Sequence, residues 1–249
     1  MNERIRLDLA LEQRGLLPSR ARARDAILRG TVTINGVVAH KQNQMVGHSD
    51  VVALDDPAAR YVSRAALKLV AGLDAGEIDA TGKICLDIGA STGGFTQVLM
   101  ERGAAKIYAV DVGHDQLHER LKGSNRVVSL EGLNAKDLGD AHVLEPIDIV
   151  VSDVSFVSVT KILAAPLALC KPGADAVILF KPQFEVGRRN VGKGGIVTDE
   201  AAIETALAEM VTFMAEHGFA HRLSIASPIA GGDGNVETVA VFRKDPQSQ

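Results

Sequence analysis

Residues 84–95 read ICLDIGASTGGF, an apolar run followed directly by a turn rich in glycine. The apolar run predicts a buried strand, and the glycines let backbone N–H groups approach a ligand and open a helix. The spacing G-x-x-x-G-G differs from the dinucleotide-binding G-x-G-x-x-G, and no Gly-Lys-Ser/Thr follows as in a P-loop. The turn therefore disfavours both a nicotinamide enzyme and a P-loop nucleotide triphosphatase.

On both sides of this turn, strand-like and helix-like patterns alternate. Strands are predicted at residues 84–88, 107–111, 126–130, 147–153, 176–181, 223–226 and 238–242, and helices near 94–102, 115–122, 159–169 and 199–217. This alternation predicts an α/β fold with a mostly parallel, seven-stranded sheet covered on both faces. Ligands of such sheets bind at the carboxyl ends of the strands, so the residues that follow each strand are the candidates for a site.

The composition is that of an ordinary globular protein, with 249 residues, 46% of them hydrophobic and 23% charged. The two cysteines, Cys85 and Cys170, are isolated in apolar contexts, so neither a disulfide framework nor a cysteine-rich metal site is expected. A reducing, cytoplasmic location fits this usage best. The sequence contains no transmembrane-length apolar run and no secretory signal at its start, so we expect no stable membrane association.

The N-terminal part has a composition of its own. Residues 1–48 carry a net charge of +4 although the whole chain carries -4, which hints at a polyanionic partner or simply a solvated basic surface. A first helical stretch, for which a strand is the alternative, ends near Gly15. A helix at 20–29 capped by Ser19, a hairpin around Asn35-Gly36 and a strand at 51–54 follow. We predict a small α+β domain at 1–58, a linker at 59–62, a second domain at 63–245 and a tail at 246–249.

An acidic residue also ends the second predicted strand of the large domain. Asp111 lies 24 residues after Asp87 and can accept hydrogen bonds from both hydroxyls of a ribose. Together with the glycine-rich turn it indicates a site for an adenosyl ligand. A tight strand–helix turn with a capping aspartate is the alternative.

Residues 87–96 resemble the first cofactor motif of the FtsJ-like ribose methyltransferases, which use S-adenosylmethionine. The resemblance implies a Rossmann-like methyltransferase domain with S-adenosylmethionine as cofactor and no metal. It also implies the cofactor-binding residues Asp87, Gly89, Ser91, Gly93, Gly94, Phe95, Asp111, Asn134 and Asp153.

Asp153 and Lys181 stand at the ends of predicted strands, and so at the ligand edge of the sheet. Lys68 and Glu237 are placed beside them only by resemblance, because the four match in order the Lys-Asp-Lys-Glu tetrad of ribose 2′-O-methyltransferases. The surrounding segments SRAALKL, SDVSF and FKPQFE resemble the TlyA family, which joins an S4 RNA-binding domain to an FtsJ-like domain and whose members also carry the label hemolysin. Structural ion pairs are the alternative reading of these residues.

A ribose 2′-hydroxyl is a weak acid, so positioning and deprotonation are what the protein adds to methyl transfer. A lysine can act as the base only if burial or a second cation favours its neutral form. Our hypothesis is that Lys181 accepts the proton while Lys68 helps to position the hydroxyl. In this scheme Asp153 and Glu237 orient the two ammonium groups.

The pattern of residues 15–36 is similar to the S4 domain, which binds structured RNA. Aromatic residues are 4% of the chain, so RNA contacts are expected from Arg and Lys rather than from base stacking. The basic segment 187–195 is either a flap that closes on RNA or a solvated loop. The candidate RNA-binding residues are Arg4, Arg6, Arg20, Arg22, Arg24, Arg29, Lys41, Arg64, Arg188, Arg189 and Lys193.

The resemblance therefore implies an S-adenosylmethionine-dependent 2′-O-methyltransferase of ribosomal RNA, acting on cytidine in free RNA or in ribosomal subunits. A non-catalytic RNA-binding or ribosome-assembly factor is one alternative. A membrane-active hemolysin and an S4-bearing pseudouridine synthase are disfavoured, since the sequence offers neither a spanning segment nor a matching second domain. No oligomeric state is predicted.

Overall fold

The computed structural model describes residues 4–247, and the chain divides between Arg60 and Tyr61 into two compact units. This division falls within the segment 59–62 that the sequence predicts as a linker. Of the predicted tail, Ser248 and Gln249 lie outside the described residues, and Pro246 and Gln247 form an exposed turn.

The first unit is a small α+β module. Its elements are β1 (Ile5–Arg6), α1 (Leu7–Gln13), α2 (Arg20–Leu28), β2 (Val32–Ile34), β3 (Val37–Val38), β4 (Met45–Val46) and β5 (Val52–Leu54). The stretch before Gly15, for which both a helix and a strand were predicted as alternatives, contains one of each. Strand β1 pairs with β4, and the chain then continues directly into α1. The predicted hairpin is confirmed: Asn35 and Gly36 both have positive φ, at 50° and 81°, as the tight turn between β2 and β3 requires.

The second unit holds the seven-stranded sheet that the sequence predicts. Its strands are β6 (Ile84–Ile88), β7 (Lys106–Asp111), β8 (Val127–Glu131), β9 (Ile147–Ser152), β10 (Cys170–Phe180), β11 (Phe219–Ala226) and β12 (Thr238–Lys244). They lie in the order β11-β12-β10-β9-β6-β7-β8, and β12 runs antiparallel to both of its neighbours. The chain leaves the central strand β6 first toward β7 and later toward β9, so the crevice at these strand ends is where a ligand is expected.

Helices cover both faces of the sheet. They are α3 (Ala66–Ala75), α4 (Gly94–Glu101), α5 (Glu119–Lys122), α6 (Ala164–Ala168), α7 (Pro182–Glu185) and α8 (Glu200–Glu216). Two predicted helices are shorter than the pattern indicated. Asp115 has φ of 53°, which prevents a helix from beginning at 115, and Pro166 lacks the N–H that the interior of a helix at 159–169 would need.

Two hydrophobic clusters form the core, one on each face of the sheet. The first includes Leu69 and Leu73 of α3 and Leu99 of α4, and the second includes Met210 and Met214 of α8. Helix α3 approaches the sheet closely at Gly72, where a Cβ atom would lie 2.6 Å from Val177 Cγ1 and 2.7 Å from Val239 Cγ1. Among residues 4–247, no helix combines the length and the apolar character needed to cross a bilayer.

Candidate active site

The glycine-rich turn between β6 and α4 depends on its glycines for space. Gly93, with φ of 94°, precedes α4, and a Cβ atom there would lie 2.2 Å from Leu121 Cδ1. At Gly89, with φ of 80°, a Cβ atom would lie 2.9 Å from Val154 Cγ1. Neither position has room for a Cβ atom, so glycine is required at both for the turn to pack closely against its neighbours.

Asp111 at the end of β7 holds this turn in place. Its Oδ2 accepts a hydrogen bond of 2.8 Å from the Ser91 N–H, and its Oδ1 accepts one of 2.7 Å from the Gly113 N–H. The carboxylate is only partly buried and lines a cavity of about 540 Å³ beside the turn. Each oxygen keeps a second lone pair that can accept from a ligand hydroxyl.

Both polar and apolar side chains line this cavity. Asp111, Gln116 and Asn134 supply the polar groups, and Ile88, Leu133, Val154 and Ile162 line the walls. A smaller cavity of about 170 Å³ adjoins it between the turn, Ser63 and Lys181. Gly89, Ser91, Asp153 and Ser155 line both cavities. The pair fits an elongated ligand with a flat nucleoside at one end and a short charged chain at the other, as S-adenosylmethionine has.

Most of the predicted cofactor residues line this double cavity, but two lie behind it. Gly89, Ser91, Gly94, Phe95, Asp111, Asn134 and Asp153 are in the cavity walls, whereas Asp87 and Gly93 are not. The Asp87 side chain is completely buried, and its Oδ2 accepts a hydrogen bond of 2.6 Å from Thr96 Oγ1 of α4. Burial raises the pKa of Asp87 to about 7. Asp87 therefore supports the turn from below rather than touching the cavity.

The two lysines of the predicted tetrad are each held by a carboxylate. Lys181 Nζ lies 2.7 Å from Asp153 Oδ1 and donates a hydrogen bond of 2.8 Å to Ser155 Oγ. Lys68 Nζ of α3 donates a hydrogen bond of 2.5 Å to Glu237 Oε2. Both lysines are buried, with 7% of Lys181 and 6% of Lys68 exposed.

The sheet register explains why these pairs are neighbours. Phe180 of β10 pairs with Thr238 of β12, so Lys181 and Glu237 follow one step beyond at the same edge of the sheet. Asp153 follows β9, the other neighbour of β10. Lys68 lies one turn before Gly72 on the face of α3 that packs against β10 and β12. Among the residues that the structure describes, no group of three His, Cys, Asp or Glu side chains could hold a metal ion.

Three residues at this edge were not among the predicted site residues. Ser155 holds Lys181, and Asn235 is a buried amide two residues before Glu237. Phe156 is 92% exposed, has φ of 70° and lies in the wall of the larger cavity, with its ring 5.3 Å from that of Phe184. The low aromatic content argued against base stacking, but composition does not reveal that one ring stands in solvent at the site.

The predicted RNA-binding residues of the first unit differ in how far their charges are already paired. Arg6 and Arg20 both contact Asp8, a carboxylate with no exposed surface. Arg29 forms ion pairs with Asp25 and Asp56, and 16% of its side chain is exposed. Its charge is therefore neutralised within the first unit.

The remaining basic residues of the first unit are placed differently. Arg22 donates a hydrogen bond of 2.7 Å to the Ala58 carbonyl, and Arg4, Arg24 and Lys41 are exposed. These three exposed side chains are the ones best placed to meet an RNA.

The predicted RNA-binding residues of the second unit lie in two places, just before α3 and between α7 and α8. Arg64 is half-buried just before α3, and its guanidinium approaches Gly232 of the loop that leads to Glu237. Arg188, Arg189 and Lys193 are exposed in the segment between α7 and α8.

A seven-stranded sheet with this strand order, a glycine-rich turn at the switch point and an acidic residue after the next strand define the class of Rossmann-like methyltransferases. Comparison with known families agrees. The FtsJ-like methyltransferase family matches residues 61–244, and the S4 domain matches residues 5–52.

Known relatives match both units together. The 16S/23S rRNA (cytidine-2′-O)-methyltransferase TlyA of Mycobacterium tuberculosis is 43% identical over 241 residues, covering 95% of this chain and 89% of that protein. Hemolysin A of Brachyspira hyodysenteriae is 41% identical over 239 residues, covering 96% and 99% respectively. A solved structure from Streptococcus thermophilus, described as a hemolysin, matches with a TM-score of 0.76 and 34% identity, over 100% of this chain and 94% of that chain. The chain belongs to the TlyA family, in which an S4 domain precedes an FtsJ-like methyltransferase domain.

Proposed function

We propose that this protein transfers the methyl group of S-adenosylmethionine to a ribose 2′-hydroxyl of ribosomal RNA, at cytidine. The observation that carries the proposal is the pair of lysine–carboxylate contacts at the carboxyl end of β10: Lys181 with Asp153, which both line the smaller cavity, and Lys68 with Glu237 beside them. A binding protein has no need for two such lysine–carboxylate pairs away from solvent, because the desolvation of charged side chains is costly.

S-adenosylmethionine supplies an electrophilic methyl group on a positively charged sulfur. Asp111 would accept the ribose hydroxyls of this cofactor, and Asn134 and the apolar walls would hold its adenine. Gly89, Ser91 and Gly94 would leave room for its amino-acid part. Asp153, which lines both cavities, would face the sulfonium as well as Lys181.

The neutral Nζ of Lys181 would accept the 2′-hydroxyl proton while the oxygen forms its bond to the methyl carbon and the carbon–sulfur bond breaks. Asp153 and Ser155 orient this amine through the contacts described above. Glu237 fixes the position of Lys68 through its hydrogen bond, so that Lys68 can donate a further hydrogen bond to the oxygen as negative charge develops there. Burial makes this donation stronger than it would be in water.

The substrate class follows from the family and from the charges. The curated relative from Mycobacterium tuberculosis is named for 16S/23S rRNA and cytidine. The first unit matches the S4 domain, and residues 1–48 carry a net charge of +4, which suits a phosphate backbone. We assign phosphate contacts of the first unit to Arg4, Arg24 and Lys41, and those of the second unit to Arg188, Arg189 and Lys193. An rRNA substrate places the protein in the cytoplasm.

The test uses tritiated S-adenosylmethionine and ribosomal subunits from a bacterium whose own gene of this family is deleted. Wild type should label the RNA, and 2′-O-methyl mapping should find the label on cytidine. Lys181→Ala should abolish transfer while cofactor affinity, measured by calorimetry, stays within a few fold. Lys171→Ala is the matched control, since Lys171 lies at the other end of the same strand and pairs with Asp148. It should methylate as wild type does.

Two results would contradict the proposal in different ways. Wild-type turnover by the Lys181→Ala variant would remove Lys181 from the mechanism. A wild-type protein that binds both cofactor and subunits but transfers no methyl group would instead be a non-catalytic RNA-binding factor.

A further inference from the structure

The loop that precedes Glu237 is hydrogen-bonded to the C-terminal end of the basic segment 187–195. Asn235, two residues before Glu237, is 2% exposed, although asparagine is usually found at the surface. Its Nδ2 donates a hydrogen bond of 2.9 Å to the Gly195 carbonyl, and its Oδ1 accepts one of 2.9 Å from the Val197 N–H. One side-chain amide thus binds the backbone on both sides of Ile196, at the C-terminal end of the basic segment.

The other end of this connection is fixed just as firmly. The Asn235 carbonyl accepts a hydrogen bond of 2.9 Å from the Gly231 N–H, and the Asn235 N–H donates one of 3.1 Å to Asp233 Oδ1. Glu237 Oε1 packs against Gly231, where a Cβ atom would lie 2.8 Å away. The loop 231–235 is therefore a closed turn that lies directly against the Glu237 carboxylate.

The basic segment itself is exposed and rests on few contacts. Arg188, Arg189 and Lys193 all stand in solvent on two short 3₁₀ turns. Apart from those of the Asn235 amide, the hydrogen bonds described for this segment are local, such as the Gly192 N–H to Ile196 carbonyl bond of 2.9 Å and the Asn190 Nδ2 to Val186 carbonyl bond of 2.9 Å.

We propose that Asn235 is a positioning residue that couples phosphate binding by Arg188, Arg189 and Lys193 to the placement of Glu237 and, through it, of Lys68. The inference rests on the proposed function for its substrate, an RNA. When phosphates fix the basic segment, the Asn235 amide fixes the loop 231–237, and the Lys68–Glu237 pair is held for the hydroxyl. RNA thereby completes the site that acts on it.

Hydrogen exchange tests this coupling without relying on catalysis. The probe is the set of ribosomal subunits described above, added in the presence of S-adenosylhomocysteine. In wild type, the backbone amides of residues 228–237 should exchange more slowly once subunits are bound. Asn235→Ala should lose this slowing but keep cofactor affinity. Asn190→Ala is the matched control, because it removes an amide–carbonyl bond from the same segment without touching the loop, and it should keep the slowing.

Two further variants guard against a folding defect. Asn235→Asp retains the acceptor for the Val197 N–H and loses the donor to Gly195, so it should show part of the slowing. The triple variant Arg188→Ala, Arg189→Ala, Lys193→Ala changes only exposed side chains and should lose the slowing as Asn235→Ala does. With methyl transfer as the readout, Asn235→Ala should lower kcat about 100-fold, as expected for a reacting group misplaced by about 1 Å. The KM for subunits should change much less.

The results separate the two proposals. The coupling would be overturned if subunits slowed amide exchange of residues 228–237 as much in Asn235→Ala as in wild type. It would also be overturned if bound subunits did not slow this exchange in wild type. A wild type that shows the slowing but transfers no methyl group would overturn the proposed function and leave the coupling in place.

Discussion

Gly72→Ala should impair catalysis far more than stability. The new Cβ atom would lie 2.6 Å from Val177 Cγ1 and 2.7 Å from Val239 Cγ1, whereas carbon atoms in contact are normally ~3.5–4.0 Å apart. Helix α3 must therefore withdraw from the sheet by about 1 Å. Lys68 lies one turn earlier on the same face, so its ammonium group moves relative to Glu237 and the sheet edge.

The two effects on the free energy of unfolding oppose each other. Alanine favours the helix by ~0.8–1 kcal/mol over glycine, and overpacking costs ~1–3 kcal/mol. We expect a net loss of ~0–2 kcal/mol in stability. Displacing a reacting group by about 1 Å costs ~100-fold in rate, equivalent to ~2.7 kcal/mol in the barrier.

Urea unfolding, calorimetry with the cofactor and the tritium assay measure the three quantities separately. Gly76→Ala is the control at the far end of α3, where the nearest side-chain atom, Val241 Cγ1, lies 3.0 Å from the new Cβ. It should lower stability to a similar extent and leave turnover unchanged. A Gly72→Ala variant that methylates at the wild-type rate would refute the idea that the seating of α3 places Lys68.

Three further outcomes are expected. Asp111→Ala should weaken cofactor affinity ~10–100-fold by calorimetry, because charge-assisted hydrogen bonds are lost on both sides of the carboxylate; an unchanged affinity would place the ribose elsewhere. Asp87 has a pKa of about 7 in the folded protein, above its ordinary value of 3.8, so its contribution to stability is greatest below about pH 4 and falls as the pH rises to about 7. Asp87→Asn cannot titrate, so unfolding curves from pH 4 to 8 should fall less steeply than those of wild type, by at most ~4 kcal/mol; equal slopes would contradict a neutral Asp87. Phe156→Ala should reduce methylation of subunits ~10-fold or more without changing cofactor affinity, as the loss of one stacked base predicts; wild-type activity would show that the exposed ring has no contact with RNA.

The parts of the site that lie on single strands could be predicted from sequence, because a strand's end and its turn are local properties. Asp111, Asp153 and Lys181 were found in this way, and all three lie at the predicted edge of the sheet. Asp87 was assigned to the cofactor, yet it lies between Leu86 and Ile88 within a strand and points into the layer beneath α4. The alternation of side chains between the two faces of β6 could have indicated this orientation of Asp87.

The other parts depend on tertiary packing. Lys68 and Glu237 are 169 residues apart, and only the pairing of β12 with β10 and the close approach of α3 bring them together. Only the family resemblance predicted that Lys68 and Glu237 lie beside Asp153 and Lys181, because no local pattern in the sequence indicates it. Asn235 gave no signal because its burial depends on Gly195 and Val197, 40 and 38 residues away. The pairing of Arg29 with Asp56 was equally hidden, since a charge count does not reveal which charges meet.

The order of strands has a consequence for the newly made chain. Every residue that lines the double cavity precedes Pro182, whereas β12, which brings Glu237, is made after β11 and must insert between β11 and β10. During synthesis, the groups that hold the donor are thus available before the partner of Lys68 exists. A nascent chain that lacks this last strand already contains every residue that lines the double cavity, but not the carboxylate that holds Lys68.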